Sequence, residues 1–547
     1  MGSIAGFLAI AAGCLAQQVN WLRHYGNAGG YNSGFILEHD LQGHIYGTGV
    51  LVAETVFDSH TATVLGDRDA LLAKWDTAGN VIWVRTAGGE PAQLQSDADG
   101  GADIAYDPVS DRVVMAGRYS SPNTFFGPHV LSGGSDFESD VFVASYDAQG
   151  NCLWAKGAIG FTASSQGLLV DGNSNVYSFG YCSFGGATFY EATTINIPQG
   201  GSMAKYDVDG NFVSALQTVS LGGIYDAQWV ENDWLVCGQF VSGSTLWGQP
   251  VAVQSPGGDG FVARIDTTGA IIWYTSLRSD SAVTIYHCAA TSDGKVMVAG
   301  VFNENLYVNG DTIEGDPLVL NHFIAFLDEE GSVLWAKVLM VSDLSITRDL
   351  EVSANDEFYI MGRLEDQLNL GNTVLTASTS RDGYLARFDT VGNCLAASHF
   401  GRVRYAVGSV LCAEEGLYLS CDYDSTMNFS TYTVPVSLLG FTDMFLARLD
   451  SLSGFTGIQR ITENNEELHI YANPNNGLCI IDLPQSLQAS DGLVLSVYDN
   501  TGQLVQRAPL EFTEQGLKLD VRAQAKGVYH VELSDGAQRY SGSIVFE

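Results

Sequence analysis

Short runs in which apolar and polar residues alternate recur along most of this chain. Between Ala73 and Trp83 the residues read AKWDTAGNVIW: one apolar run ends at Asp76, a turn carries Gly79, and a second run reaches Trp83. The phrase returns around Asp147 (ASYDAQGNCLW), Asp207, Asp266, Asp328 and Asp389, and begins once more at Asp450 (ARLDSLSGFTG). A two-residue period puts alternate side chains on one face, so each run predicts a strand. An Asp able to bond nearby backbone, followed by a Gly that accepts positive φ, predicts a tight hairpin between the two strands.

Two further segments complete each repeat. One is a phrase ending in glycine: HIYGTG at Gly49, VVMAG at Gly117, VYSFG at Gly180, WLVCG at Gly238 and VMVAG at Gly300. The other is looser, as at Phe126-Gly127, Leu246-Trp247-Gly248 and Leu370-Gly371. Successive motif aspartates are 71, 60, 59, 62, 61 and 61 residues apart. A period near sixty exceeds that of helical repeats and suits a four-stranded propeller blade. The tryptophan-bearing strand first appears at Trp21, ahead of any aspartate-bearing partner, and the chain supplies a spare partner at residues 443–450. Pairing the two would leave no exposed sheet edge. The expectation is an all-β chain in which a seven-bladed β-propeller over residues 17–455 is closed by a late strand completing the first blade.

The recurring phrase resembles the beta-propeller repeats of secreted bacterial proteins known as SBBP repeats. It is also close to the docking motif of quinone-dependent propeller dehydrogenases. The spacing differs by one residue, however, and this chain has no adjacent cysteine pair. Tryptophans in that frame are expected to pack between blades.

After Asp450 the period stops. Residues 456–466 read as a linker, and 467–547 as seven short strands with turns at Asn475-Asn476-Gly477 and Asn500-Thr501-Gly502, which fits a small Ig-like β-sandwich. Three phrases here, YANPNNG from Tyr471, VYDNTGQLV from Val497 and KGVYHV from Lys526, resemble the type A C-terminal sorting domain of the type IX secretion system. The positions that carry the likeness are Asn473, Pro474, Gly477, Gly502, Gly527 and Tyr529, while Ala472 stands where proline is usual. The resemblance implies a Bacteroidetes-type cell, the type IX machinery as a partner, and delivery through the periplasm to the cell surface or medium.

Composition adds compartment and partners. Residues 2–16 form an apolar run bounded by small residues. It is too short to span a bilayer and reads as a signal peptide cleaved after Ala16, with lipidation at Cys14 as the alternative. No later segment is apolar and long enough for a membrane helix. A formal charge of -37 repels phosphate backbones, which argues against nucleic acid as a partner. The cysteines show no metal-ligand spacing. Cys152 and Cys394 occupy equivalent places in different repeats and read as buried thiols, and Cys412–Cys421 is the one candidate bridge.

No nucleophile elbow, zinc motif or phosphate loop is present. The best metal candidate is Asp97, Asp99 and Asp103, a calcium-like run that lacks a following bidentate Glu, so no cofactor is predicted beyond calcium as an alternative. The motif aspartates repeat too often to be catalytic. Residues 88–103 read as an inserted loop which, with the loops near Tyr225–Trp229 and Arg402–Tyr405, could supply contacts. The expected function is non-enzymatic binding or adhesion outside the cell, with a glycan or protein as ligand. The alternative is a hydrolase or lyase acting on polysaccharide, which requires carboxylates from different blades in one pocket.

Overall fold

The computed structural model describes residues 19–449 and 462–547, apart from 27–28, 90–98, 133–139, 160–163, 183–186, 190–194, 342–344, 372–373, 430–431, 438–440, 464–467, 483–493, 499–503, 509–510, 514–515 and 535–537. The expected signal peptide with Ala16 and Cys14, most of the linker, Asp97 and Gly502 lie outside the described residues. The fold is all-β and divides into two units, Met1–Gly457 and Ile458–Glu547.

In the larger unit the described strands form seven antiparallel sheets, each with four main strands. The pattern is clear in the second sheet, whose order is Gly100–Asp107, Arg112–Tyr119, Asp140–Asp147 and Cys152–Ile159. The third strand is the aspartate-bearing run, the fourth carries the tryptophan, and the second is the glycine-ending phrase. The seventh sheet is assembled from both ends of the unit: Val410–Ala413, Gly416–Tyr423, Asp443–Leu449 and then Val19–Tyr25. In the last pair Trp21 faces Arg448 and Tyr25 faces Met444.

Two parts of the reading need correction. The looser segment is not a main strand but a small hairpin between the second and third strands, as in Asn123–Phe126 with His129–Ser132. In three sheets such a hairpin pairs with the outer strand of the sheet before. The innermost strand of each sheet was missing from the reading, so the presumed loop at 88–103 in fact ends in the strand Gly100–Asp107. The physical reason is an irregular register. The innermost strands slip by one residue at Gly101/Asp103, Ser165/Gly167, Ile224/Asp226, Ile285/His287 and Thr347/Asp349. Each slip inserts one residue with no partner, which breaks the alternation that marks a strand in sequence.

Five of the junctions between neighbouring sheets repeat one contact. Trp83 of the first sheet lies against the turn of the second. Its indole N–H donates to the Ala148 carbonyl at 3.0 Å, and Arg85 donates to the Gly150 carbonyl at 2.7 Å. Gly150 has φ of +78°, and a Cβ there would come within 2.8 Å of the indole, so the turn demands glycine twice over. Trp154, Trp273 and Trp335 make the same bond to the next sheet, to Val208, Glu329 and Thr390. Trp21 of the seventh sheet makes it to Thr77 of the first at 3.1 Å. Ser214, in the third sheet, has no indole to offer; there Trp247 of the small hairpin sits against Gly269 instead. The apolar clusters likewise straddle pairs of sheets. One joins Trp21, Tyr418 and Met444 of the seventh to Phe35, Leu71 and Trp75 of the first.

The smaller unit is a two-sheet sandwich of five and four strands around Leu495, Val497, Leu517, Val531 and Ile544. Thr462–Glu463 and Glu511–Thr513 are strands that the sequence reading did not include. Cys152, Cys237, Cys288, Cys394, Cys412, Cys421 and Cys479 are free. Cys412–Cys421 is therefore corrected: Cys412 pairs with Leu417, and Cys421 lies four residues further along that strand, about 13 Å away at ~3.3 Å per residue.

The docking contact yields two expected outcomes. Trp83→Ala, which empties a site only 5% exposed, should lower stability by about 3–5 kcal/mol. Gly150→Ala, which drives a methyl into the indole, should cost about 1–3 kcal/mol. Denaturant unfolding of the full chain followed by tryptophan fluorescence checks both. A Gly150→Ala protein as stable as the parent would show that the indole contact is not tight.

Candidate functional site

The first strands of all seven sheets, or the residues just before them, wall a single cavity of about 510 Å³. Five carboxylates face it: Glu38, Asp103, Asp226, Asp349 and Glu351, from the first, second, fourth and sixth sheets. All five are half-buried. Asp103, Asp226 and Asp349 hold the in-register position just after a strand slip, a place filled by His287 in the fifth sheet and by Gly167 in the third.

That position has a structural duty. Asp226 accepts from the amide N–H of Cys288 in the next sheet at 2.9 Å, and Asp349 from that of Val410 at 2.8 Å. Asp103 accepts in the same way from Leu168, Glu38 from Tyr106, and the Ser409 hydroxyl oxygen from Leu37 at 2.9 Å. The His287 ring donates to the Thr347 carbonyl. Six of the seven sheet junctions thus carry a side chain bonded to the backbone of the next sheet. At the remaining one, a Cβ on Gly167 would come within 2.8 Å of Ala227. Bonds of this kind satisfy inner-strand amides that have no further strand to pair with.

Crowding so many carboxylates into one cavity shifts their titration. Burial pushes Asp103 up to about 7, Asp226 to about 8 and Asp349 to about 7, against amide hydrogen bonds that favour the charged form. The charges of Glu38 and Asp349 raise Asp103 further, and those of Asp103 and Asp349 raise Asp226. Glu38 and Glu351 are raised by the same burial, Glu351 well above the usual range. Glu351 differs from the others in that its carboxylate accepts no hydrogen bond from a described residue, although it feels Asp349, Glu38 and Asp226.

The calcium candidates do not share a setting. Asp99 is buried and its carboxylate is taken by Ser120 N–H at 2.8 Å and by the Ser121 hydroxyl at 2.8 Å, whereas Asp103 faces the cavity. A different donor set does converge: one Asp226 oxygen and the sulfurs of Cys237 and Cys288 lie within 4.8 Å of one another. Two thiolates and a carboxylate would suit zinc. Burial, however, pushes both thiols up, and the two side chains pack in an apolar core.

A second cavity of about 430 Å³ adjoins the first, sharing Tyr225, His287 and Arg348 with it. It adds Tyr286, His322 and Thr347. The Tyr225 and Tyr286 rings lie 5.5 Å apart, and Arg348 donates to the Tyr405 carbonyl at 3.2 Å. Of the loops singled out, Tyr225–Trp229 is corrected, since it lies inside the strand Gly222–Val230. Arg402–Tyr405 touches the second cavity only through the Tyr405 carbonyl bonded to Arg348, and residues 90–98 of the third lie outside the described residues. The motif aspartates are elsewhere. Asp76 and Asp147 accept from the amides two and four residues on, which is turn geometry.

In the smaller unit, the Asn473 side chain accepts from Val545 N–H at 2.8 Å and donates to the Ser543 carbonyl at 2.7 Å, fastening the NPNNG turn to the last strand. Pro474 follows it in that turn. Gly477 has φ of +91°, donates to the Asn475 side chain at 2.8 Å, and has no room for a Cβ beside Arg522. Gly527 opens the strand Gly527–Ser534, and Tyr529 is buried with its hydroxyl bonded to the Ala525 carbonyl.

Residues 469–547 match the secretion system C-terminal sorting domain. No curated protein matches the chain. Among solved structures it is similar to a quinohemoprotein alcohol dehydrogenase from Comamonas testosteroni, with 12% identity, 78% of this chain and 76% of that one covered, and a TM-score of 0.34. It is also similar to a protein of unknown function from Bacteroides caccae, with 10% identity, 64% and 93% covered, and a TM-score of 0.30. A Synechocystis apocarotenoid oxygenase variant gives 11% identity, 78% and 94% covered, and a TM-score of 0.35. Likeness at these scores carries no argument about this chain.

The raised carboxylates set a pH dependence. In the unfolded chain they titrate near 4, so between about 4 and 8 the folded state holds more protons, and stability falls as pH rises through that window. The melting temperature should therefore be lower at pH 9 than at pH 5.5. The formal charge of -37 acts in the same direction, so the comparison that isolates the cavity is Asp226→Asn, which retains an acceptor for Cys288 N–H. That variant should gain stability at pH 9 relative to the parent and show a shallower slope. Parallel profiles would mean that Asp226 titrates normally.

Proposed function

We propose that this chain, exported by type IX secretion through its C-terminal sorting domain to the cell surface or extracellular space, works there as a closed seven-bladed β-propeller that binds a glycan or a protein without chemical turnover. Three junctions between the seventh and first sheets support closure: the Val19–Tyr25 pairing with Asp443–Leu449, the Trp21 bond to Thr77, and the Ser409 bond to Leu37. Closing a repeat array by pairing its first and last strands removes both edges at once.

The observation that carries the binding reading is how the cavity carboxylates are employed. Asp349 accepts backbone N–H groups at both oxygens, from Leu350 at 2.9 Å and from Val410 at 2.8 Å. A carboxylate fixed in this way holds two sheets together and has little freedom to act as acid or nucleophile. Beside them, the adjoining mouth offers tyrosine faces and an arginine, which are groups that recognise surfaces.

One observation favours the second reading, a polysaccharide hydrolase or lyase. Glu351 is raised well above the usual range, is free of hydrogen bonds among the described residues, and shares its cavity with Glu38 and Asp226 from other sheets. A raised acid facing a second carboxylate across a cavity is the arrangement glycosidases use.

Two measurements separate these readings, and a third tests the export that both assume. Glycan arrays and pull-downs with extracellular matrix should retain the intact chain. Incubation with acidic and neutral polysaccharides should release no reducing ends or unsaturated products; release abolished by Glu351→Gln would replace the binding reading with the enzymatic one. In a cell that runs type IX secretion, the chain lacking residues 469–547 should accumulate in the periplasm, and its normal appearance outside would remove the export premise.

A further inference from the structure

The unpaired residues of three successive strand slips converge. In the fourth, fifth and sixth sheets the residues without a partner are Tyr225, Tyr286 and Arg348, and all three line the 430 Å³ cavity. Their in-register neighbours Asp226, His287 and Asp349 bond across to the next sheet, which leaves the inserted residues free of that duty. Tyr286 is 40% exposed and Arg348 is exposed as well.

Arg348 is the informative member. Among the described residues, one of the five N–H groups of its guanidinium donates, to the Tyr405 carbonyl, and no carboxylate forms an ion pair with it. Burial lowers the proton affinity of Arg363, the charges of Arg381 and Arg348 lower it further, and it donates to the Arg404 carbonyl at 2.7 Å. The carboxylate whose charge acts on Arg348 is Asp422, which is itself occupied by the amide N–H groups of Arg404, Tyr405 and Val407. The residues lining the 430 Å³ cavity include no carboxylate, although Arg348 also faces the carboxylate-lined cavity beside it. The tyrosines supply apolar ring faces and hydroxyls on one side of it, suited to the C–H faces and hydroxyls of a pyranose ring.

We infer that this cavity is a binding site for an anionic sugar residue, with Arg348 pairing to the ligand's carboxylate or sulfate and Tyr225 and Tyr286 packing on its ring. The inference rests on the binding reading above and assigns that reading its ligand class and its residues. A planar guanidinium serves either anion through paired N–H bonds, so uronate and sulfated sugars are arms of one test.

The experiment is calorimetric titration of the full chain at physiological salt with oligogalacturonate, a sulfated galactan oligosaccharide and a neutral glucan oligosaccharide of matched length. The parent should bind one or both acidic oligosaccharides and bind the neutral one at least tenfold more weakly. Arg348→Gln should lose tenfold or more in affinity for the acidic ligand, Arg348→Lys should recover part of that loss, and Tyr286→Ala should weaken binding without changing the preference for an anion. Melting temperatures within a few degrees of the parent confirm that each variant is folded. Equal affinity for the neutral glucan, or acidic affinity unmoved by Arg348→Gln, overturns the inference and leaves the binding reading standing. Binding of an acidic peptide in place of any sugar does the same. A folded chain that binds no glycan and captures no protein overturns both.

Discussion

An indole laid across a glycine turn is the contact on which the larger unit depends. Each sheet is amphipathic on both faces and cannot bury them alone, so its neighbours must be held at a fixed distance and order. The Trp83–Gly150 contact does this with three elements at once: a flat apolar surface, an N–H to the Ala148 carbonyl, and an arginine two residues on that seizes the Gly150 carbonyl. Trp154, Trp273 and Trp335 repeat it, and Trp21 makes the same bond between the seventh sheet and the first, so the contact fixes five of the sheet-to-sheet junctions.

Packing fixed at the outer strands dictates what happens at the inner ones. The innermost strands have no further strand to pair with, and their amides point toward the next sheet. Side chains on or beside these strands answer those amides: Asp226 and Asp349, each just after a slip, for Cys288 and Val410, and Ser409 for Leu37. The carboxylates that crowd the cavity are therefore first a consequence of construction. Their raised proton affinity follows from the same geometry, since groups pinned to inner strands cannot turn away from one another.

This division also explains what sequence could reveal. The outer half of each sheet was readable because its determinants are local: Asp147, Gly150 and Trp154 stand at fixed offsets and each has one physical role in the turn or the docking contact. The pairing of Val19–Tyr25 with Asp443–Leu449 was readable from the same offsets, since one run lacked a partner and another was spare. The sorting domain was readable from Asn473 and Gly477, whose side-chain bond and backbone angle leave few substitutes. The inner strands were not readable. GGADIAYD and ITRDLEV carry an inserted residue and point polar groups inward, so they mimic loops. The cavity was hidden with them, because Glu38, Asp103, Asp226 and Asp349 are scattered over more than three hundred residues and no spacing links them. Only a marker for the slip itself, such as the Gly-Ala-Asp, Ile-Tyr-Asp and Thr-Arg-Asp triplets ending at Asp103, Asp226 and Asp349, could have located it.

The slip separates two kinds of residue that most sheets combine. In a regular strand a side chain that contacts a ligand also occupies a register position, so changing it disturbs the pairing around it. Here the paired residue carries the fold: Asp349 holds Val410, while the inserted Arg348 beside it has no partner in the opposing strand. Ala102, Tyr225, Tyr286 and Arg348 occupy the same structural place with an aliphatic, an aromatic or a cationic side chain, and the strands around them keep one register pattern. A bulge placed at the rim of a cavity therefore decouples what the site recognises from what holds its walls together. The chemistry of the mouth is set by three inserted residues, and the rest of the sheet can stay as it is.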